Sequence, residues 1–170
     1  PLIQAPTHET ELQMTILDRI REAGFVVPAL TVTPAAFVPF NVHNDILVVS
    51  GQLPVRDGSI TITGKVPDDV SIADAQTAAR LCVTNILGWA SVATGGDLEK
   101  IVKVVRLGGF VATSEGFFDA PAVINAASHM INQIFGEKGS HARVAFGVAS
   151  LPFNAPVEVE ATFVLSAAHD

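Results

Sequence analysis

The residues best suited to chemistry lie near the end of the chain, on two short apolar segments. Arg143 and Ala145 are two positions apart on a predicted strand, so their side chains point to the same face. If the chain turns at about Leu151-Pro152, Ala145 lies opposite Glu158 on the next strand. Arg143 is then a diagonal neighbour, within reach of a long side chain. This spacing predicts a guanidinium and a carboxylate around one small hollow.

Such a hollow would suit a small molecule with an acid group. The donors of a guanidinium match the two oxygens of a carboxylate, so Arg143 would bind a substrate acid. Glu158 would hold a water molecule or act as a general base. Two alternatives stay open at this point. A turn two residues later would separate the groups, and a solvated cross-strand salt bridge would leave them without a chemical role.

Other residues with chemical potential give weaker signals. Ser50-Gly51-Gln52 follows a buried strand, where glycine would let a ligand approach the backbone, although an ordinary turn explains it equally well. Asn125 falls beside the apolar stripe of a predicted helix, a surface position unless another subunit packs there. The five histidines lack a second His or Cys at metal-ligand spacing, so no metal site is predicted. Ser140 and His141 are adjacent on a strand and point apart, which argues against a nucleophilic pair.

The composition indicates one compact domain that binds neither nucleic acid nor membrane. The 170 residues are 49% hydrophobic and 16% charged, and the net charge of −7 comes with no basic cluster. No apolar run approaches the ~18 residues of a membrane span. The mean hydropathy of +0.43 favours apolar surface covered by partner subunits. The first residue is Pro1, without Met or a signal-peptide pattern, which indicates a trimmed N-terminus.

The single cysteine, Cys82, excludes an internal disulfide and fits a reducing cytoplasm. It lies on the apolar stripe of a predicted helix. The sequence therefore predicts a buried small hydrophobic residue rather than a reactive thiol.

The hydrophobic periodicity, together with the residues that typically begin and end helices and turns, predicts the order of elements. This order is a helix, strands, a long helix, a strand, a helix and two final strands. This order indicates an α/β (α+β) fold, with one mixed sheet, two main helices on one of its faces and an extra N-terminal helix. The opposite face carries Val and Phe residues and should be buried against neighbouring subunits. The predicted helices are 9–23, 71–93 and a segment capped by Asp119 that runs to residue 135, and the predicted strands are 45–50, 59–63, 101–111, 143–149 and 157–165.

Four segments together resemble the YjgF-like, or reactive-intermediate deaminase (Rid), family, often labelled endoribonuclease L-PSP. The resemblance covers about residues 34–165, so residues 1–33 form an N-terminal helix and linker and residues 34–170 the YjgF-like domain. The helix resembles the extension of a longer subgroup. The segments are ILVVSGQLP at 46–54, AR at 142–143 through VASLP at 148–152, VEVEA at 157–161 and VINA at 123–126.

The resemblance implies a chorismate-mutase-like homotrimer with three pockets at its subunit interfaces. Active members hydrolyse 2-imino or 2-enamino acids to 2-keto acids and ammonia without a metal or cofactor. Carried over by position, Arg143 would clamp the substrate carboxylate and Glu158 would orient the attacking water. Ser50, Gly51 and Asn125 would line the pocket.

Two positions depart from the pattern of the family deaminases. Ala145 stands where they usually have Cys, and Phe40 stands where they have Tyr. Both changes remove a polar group from the presumed water site, so the resemblance supports carboxylate binding more strongly than deamination. Three functions stay open: an imine-hydrolysing deaminase, a non-catalytic trimer that binds a small 2-imino or 2-keto acid, and a structural trimer. The acidic charge argues against the endoribonuclease label.

Overall fold

A five-stranded mixed sheet forms the centre of the computed structural model, which describes residues 13–167. The strand order is β1-β2-β7-β5-β6; β5 and β6 are parallel and the other neighbours antiparallel. Two long helices contact the sheet from one side. None of the helices within the described residues is long and apolar enough to cross a bilayer. The helices are α1 (Ile16–Glu22), α2 (Ile72–Ala93) and α3 (Ala120–Phe135), and the strands are β1 (Phe40–His43), β2 (Ile46–Gln52), β3 (Val55–Arg56), β4 (Ser59–Ile60), β5 (Ile101–Ala112), β6 (Ala142–Val148) and β7 (Val157–Leu165).

Local capping sets the ends of the long helix α2, which agree with the predicted range 71–93. The Ser71 hydroxyl accepts a hydrogen bond from the Asp74 amide at 3.0 Å and donates one to the Asp74 carboxylate at 2.8 Å. Gly95 and Gly96, both at positive φ, follow its C-terminal end. The helix buries a stripe of mostly small residues, which lets it lie close to the sheet: Ala75, Ala79, Cys82, Val83, Ile86 and Ala90.

Cys82 is fully buried, as predicted, and its sulfur lies 3.8 Å from the Val157 carbonyl. Loss of hydration, and secondly the charge of Glu158, raises the pKa of the Cys82 thiol well above its usual value. We expect the folded protein to resist iodoacetamide and to be alkylated once it is unfolded in urea, as followed by mass spectrometry. Rapid stoichiometric alkylation of the native protein would contradict this.

The helix α3 packs directly on β5, because a glycine leaves room for it. A Cβ on Gly109 would lie 2.5 Å from the Ile124 side chain. As predicted, Asp119 caps the helix: its carboxylate accepts a hydrogen bond from the Ala122 amide at 3.3 Å. Gly136 follows the last turn. This contact brings α3 close to the neighbouring strand β6.

The N-terminal helix is shorter than the predicted 9–23. Thr15 caps it, and the Thr15 and Asp18 side chains each accept a hydrogen bond from the other's backbone amide. This reciprocal cap starts the helix at Ile16, so residues 13–15 are not helical, and residues 9–12 lie outside the described residues. Ile16 and Ile20 are buried in the main core.

The sequence did not predict strand β1, and it predicted a strand at 59–63 that is longer than the one observed. β1 was missed because it has only four residues and follows Pro39, with Phe40 as its only partly buried member. The predicted strand 59–63 pairs only at Ser59–Ile60, in the small hairpin with Val55–Arg56.

The predicted hairpin between the last two strands was also wrong. β6 does not pair with β7, because β5 lies between them and bonds to both. Ala145 is in register with Gly109 of β5, which in turn is in register with Val159 rather than Glu158. The twelve-residue β5 needs partners along both edges, and β6 and β7 provide them.

The face of the sheet turned away from α2 and α3 is only partly polar, and we call it the open face. Its exposed apolar residues include Val48, 47% exposed, and Phe146, 46% exposed. Phe146 packs edge-on against Phe110, with ring centroids 5.3 Å apart. Isolated exposed apolar residues are common, whereas several of them on one face of a sheet form an apolar surface patch.

Candidate functional site

The predicted site residues form two clusters on opposite faces of the sheet. Arg143 is in register with buried Leu107, so its side chain lies on the helix-covered face. Glu158 is in register with Phe110 and lies on the open face. The prediction that both line one hollow within a single chain is therefore wrong, because it depended on the hairpin that β5 interrupts.

The first group, which we call the arginine cluster, comprises Arg143, Asn125, Ser128 and His141. The Arg143 Nη1 atom donates to the Asn125 Oδ1 atom at 2.8 Å and to the Ser128 Oγ atom at 3.2 Å. Asn125 and Ser128 are three residues apart and share one side of α3. Both bonds use the same nitrogen, so neither occupies the Nη2 or Nε donors.

This geometry also excludes the predicted alternative of a salt bridge to Glu158. The ion pairs among residues 13–167 are Arg21–Asp18 and Arg106–Glu160. Arg143 is exposed to solvent but held by α3. Ala145, half-buried on the same strand and face, offers only a methyl group beside it.

The second group, which we call the glutamate cluster, comprises Glu158, Ser50 and Gly51. Ser50 and Gly51 form a bulge, where the register of β2 against β7 shifts between Val49 and Gln52. A Cβ on Gly51 would collide with the Glu158 carboxylate. The glycine therefore allows the acid group to lie against the backbone of the bulge.

Glu158 holds its proton more tightly than an ordinary glutamate. Burial, and secondly the neighbouring charge of Glu160, raises the pKa of Glu158. Glu160 itself is paired with Arg106 at 2.8 Å. Glu158 thus has the properties expected of an acid–base group: half-buried, outside the described ion pairs and shifted toward neutral pH.

Gln52 and Trp89 hold the bulge in place from beneath, and the sequence predicted a role for neither of them. The Gln52 side-chain amide donates to the carbonyl oxygens of Ser50 at 2.9 Å and Gly51 at 3.2 Å. The Trp89 indole donates to the Gln52 Oε1 atom at 3.1 Å. The only signal in the sequence was a polar residue, Gln52, directly after Ser50-Gly51.

The remaining predicted residues lie beside these clusters. The Ser50 hydroxyl donates to the Val38 carbonyl at 2.8 Å, which ties the extended N-terminal segment to the bulge. Phe40 packs on Trp89, with ring centroids 6.2 Å apart, on the helix-covered face. Within one chain Phe40 is therefore not brought to the carboxylate of Glu158, and its place in a pocket stays a prediction.

Ser128 and His141 were missed as site residues. The His141 Nε2 atom lies 3.0 Å from the Ser128 Oγ atom, which also accepts from Arg143. The signal was spacing: Ser128 follows Asn125 by three helical positions, and His141 precedes Arg143 by two.

Comparison with known proteins gives a consistent family. Residues 17–163 match the model of the family described as "YjgF/chorismate mutase-like, putative endoribonuclease". Protein TCP17 of Trypanosoma cruzi is 37% identical over 148 residues, which is 86% of this chain and 92% of that protein.

Solved structures agree with this family in fold. The chain is similar to Atu1372 of Agrobacterium tumefaciens, a protein of unknown function, with 46% identity and a TM-score of 0.85 over 90% of this chain and 94% of that one. It is also similar to the YjgF gene product of Escherichia coli, with 23% identity and a TM-score of 0.56 over 89% of this chain and 98% of that one.

Proposed function

Because the chain belongs to the YjgF/chorismate-mutase-like family, we propose that it is a cofactor-free deaminase of 2-imino or 2-enamino acids. The reaction would take place in pockets between the subunits of a homotrimer. The observation that carries the proposal is the Arg143 guanidinium, anchored to Asn125 and Ser128 through one nitrogen only. This anchoring leaves Nη2 and Nε to bind the two oxygens of a carboxylate.

The second requirement is an activated water molecule. Glu158, with its raised pKa, would accept a proton from water as the water oxygen attacks the imine carbon. Glu158 passes that proton to the nitrogen, which gives a carbinolamine. A second proton, from the new hydroxyl group, moves to the nitrogen as the carbon–nitrogen bond breaks, and ammonia and a 2-keto acid leave. The overall change is the addition of one water and the loss of one ammonia, which needs neither oxidant nor reductant.

Assembly is needed because one sheet separates the two clusters. A single substrate that touches both Arg143 and Glu158 must lie between two copies of the chain. The exposed apolar residues of the open face, Val48 and Phe146 among them, supply a surface for such an assembly. The family resemblance makes the homotrimer the expected form. Sedimentation equilibrium should give a mass three times the 17.8 kDa of the chain, and a monomer at micromolar concentration would contradict it.

Deamination is tested most directly with a freshly generated 2-imino acid. Ammonia and 2-keto acid should appear in equal amounts and faster than in the protein-free control. A heat-denatured sample controls for buffer catalysis. No rate above background from a correctly assembled protein would overturn the proposal.

A second candidate, carboxylate binding without turnover, is favoured by Ala145 and Phe40, which lack the polar groups usual in the family deaminases. Calorimetry with 2-keto acids separates the two candidates. Binding without hydrolysis in the wild type, together with turnover gained by the double variant Ala145→Cys and Phe40→Tyr, would establish the second candidate.

The pH dependence of hydrolysis should report Glu158. The carboxylate form is the base, so the rate should fall as the pH drops through the raised pKa, at higher pH than for an ordinary glutamate. Glu160→Gln removes a negative neighbour and leaves the Arg106 charge unpaired. Both effects lower the pKa of Glu158, so the acid limb should move to lower pH. If the acid limb of the pH–rate profile moves to higher pH, or stays in place, the assignment of this limb to Glu158 is wrong.

The raised pKa of Glu158 also makes the stability of the folded protein depend on pH. Folding favours protonated Glu158, so its contribution to stability is fully present below the ordinary glutamate pKa. The contribution is lost as the pH rises through the raised folded-state pKa. Relative to wild type, Glu158→Gln should therefore gain stability as the pH rises through that window.

A further inference from the structure

His141 and Ser128 connect the Arg143 guanidinium to the backbone of the turn just before β6. The His141 Nδ1 atom lies 2.5 Å from the Gly139 carbonyl oxygen, and its Nε2 atom lies 3.0 Å from the Ser128 hydroxyl. Ser128 is 9% exposed and His141 is half-buried. The same hydroxyl accepts from Arg143 at 3.2 Å. The four groups form one continuous chain of hydrogen bonds.

The directions of these bonds follow from the donors and acceptors. A carbonyl oxygen only accepts, so Nδ1 of His141 carries a hydrogen. In the neutral ring Nε2 is then an acceptor, and it takes the hydroxyl hydrogen of Ser128. The Ser128 oxygen thereby keeps its lone pairs for the Arg143 Nη1–H group. When His141 is neutral, each hydrogen bond between these four groups therefore has one defined donor and one defined acceptor.

We propose that His141 and Ser128 are positioning residues, which fix the orientation of the Arg143 guanidinium through neutral, Nδ1-protonated His141. This inference rests on the proposed role of Arg143 as carboxylate clamp. Asn125 alone would hold Nη1 at one point, about which the guanidinium plane could turn. The second bond, to Ser128, fixes that plane, and His141 keeps the Ser128 lone pairs directed at Arg143.

Without His141, the Ser128 hydroxyl would turn toward a carbonyl of its own helix, as serine does within helices. The clamp would then be less ordered before the substrate binds. A clamp that holds the carboxylate equally in the ground state and the transition state affects KM rather than kcat. We therefore expect losses in substrate affinity, with kcat nearly unchanged.

The test compares two variants that each keep half of the His141 ring's bonding. His141→Asn keeps a donor near the Nδ1 position for Gly139, whereas His141→Gln places an amide oxygen near the Nε2 position for Ser128. We expect His141→Asn and Ser128→Ala to raise KM, and the calorimetric Kd for a 2-keto acid, about tenfold. His141→Gln should remain within about threefold of wild type. Equal values for the Asn and Gln variants, or changes in Tm alone, would overturn the proposal.

Nitrogen-15 NMR of the ligand-free protein separates failure of this inference from failure of the deaminase proposal. His141 should show the Nδ1–H tautomer, and the Arg143 guanidinium signals should change in His141→Asn but not in His141→Gln. Both results would support the positioning role even if the protein hydrolyses no imine. An Nε2–H tautomer, or Arg143 signals unaffected by His141→Asn, would overturn it whatever the activity.

Discussion

Arg143→Ala should weaken the binding of a 2-keto acid about a hundredfold and lower kcat/KM for imine hydrolysis by at least as much. The reason is that this variant removes the guanidinium while Asn125 and Ser128, its anchors on α3, stay in place. Arg143→Lys keeps the charge but cannot bind a carboxylate in a bidentate manner, so its affinity should lie between those of Arg143→Ala and the wild type. Calorimetry and initial rates provide the measurements.

The matched control is Arg21→Ala, which removes the same charge from exposed helix α1, where Arg21 pairs with Asp18 at 3.3 Å. It should leave affinity and rate unchanged. Because Arg143 is exposed, its loss should also cost little stability. An Arg143→Ala protein that melts like wild type and binds 2-keto acids with wild-type affinity would eliminate Arg143 as the clamp.

Gly51→Ala should lower kcat about a hundredfold while leaving Tm nearly unchanged. The added methyl group would occupy the space of the Glu158 carboxylate. The colliding atoms belong to the flexible end of the Glu158 side chain, which can swing away at little cost in stability. The displaced carboxylate would no longer face the water it activates. Steady-state kinetics and thermal unfolding, measured on the same preparation, check both parts.

Gly108→Ala is the matched control for Gly51→Ala. Its methyl group would meet the Glu160 side chain on the same face of the sheet, at 2.6 Å. This variant should retain kcat within about threefold, since the displaced carboxylate is not the proposed base. In a Glu158→Gln background, Gly51→Ala should cause little further loss, because the two changes act on the same group. Additive losses would show that Gly51 acts through something other than Glu158.

The elements with strong local signals could be predicted from the sequence. Ser71 and Asp119 mark the starts of the long helices, and glycines mark their ends. The alternation of β7 placed its ends correctly at Val157–Leu165, because one of its faces is buried against α2 and the other carries polar residues. The family resemblance then named the fold, which the comparisons confirm.

The order of the strands, and the face of the sheet on which each side chain lies, could not be predicted in the same way. The segment between β6 and β7 is compatible with a hairpin, and nothing in it shows that β5, some thirty residues earlier, separates them. The strand order depends on which strands form backbone hydrogen bonds with each edge of β5, and this is a property of the whole sheet. The error moved Arg143 and Glu158 onto one face and hid the contact of Arg143 with Asn125.

The single hydroxyl proton of Ser50 is already committed, since it points at the Val38 carbonyl. Toward any bound molecule this serine therefore presents lone pairs only. The lone pairs of Ser50 would repel a carboxylate oxygen. They would accept a hydrogen bond from the N–H group of an imine or of the departing ammonia. If Ser50 lines the proposed pocket, the N-terminal segment would, by accepting that proton, set the polarity of one wall and with it which end of a substrate faces the bulge.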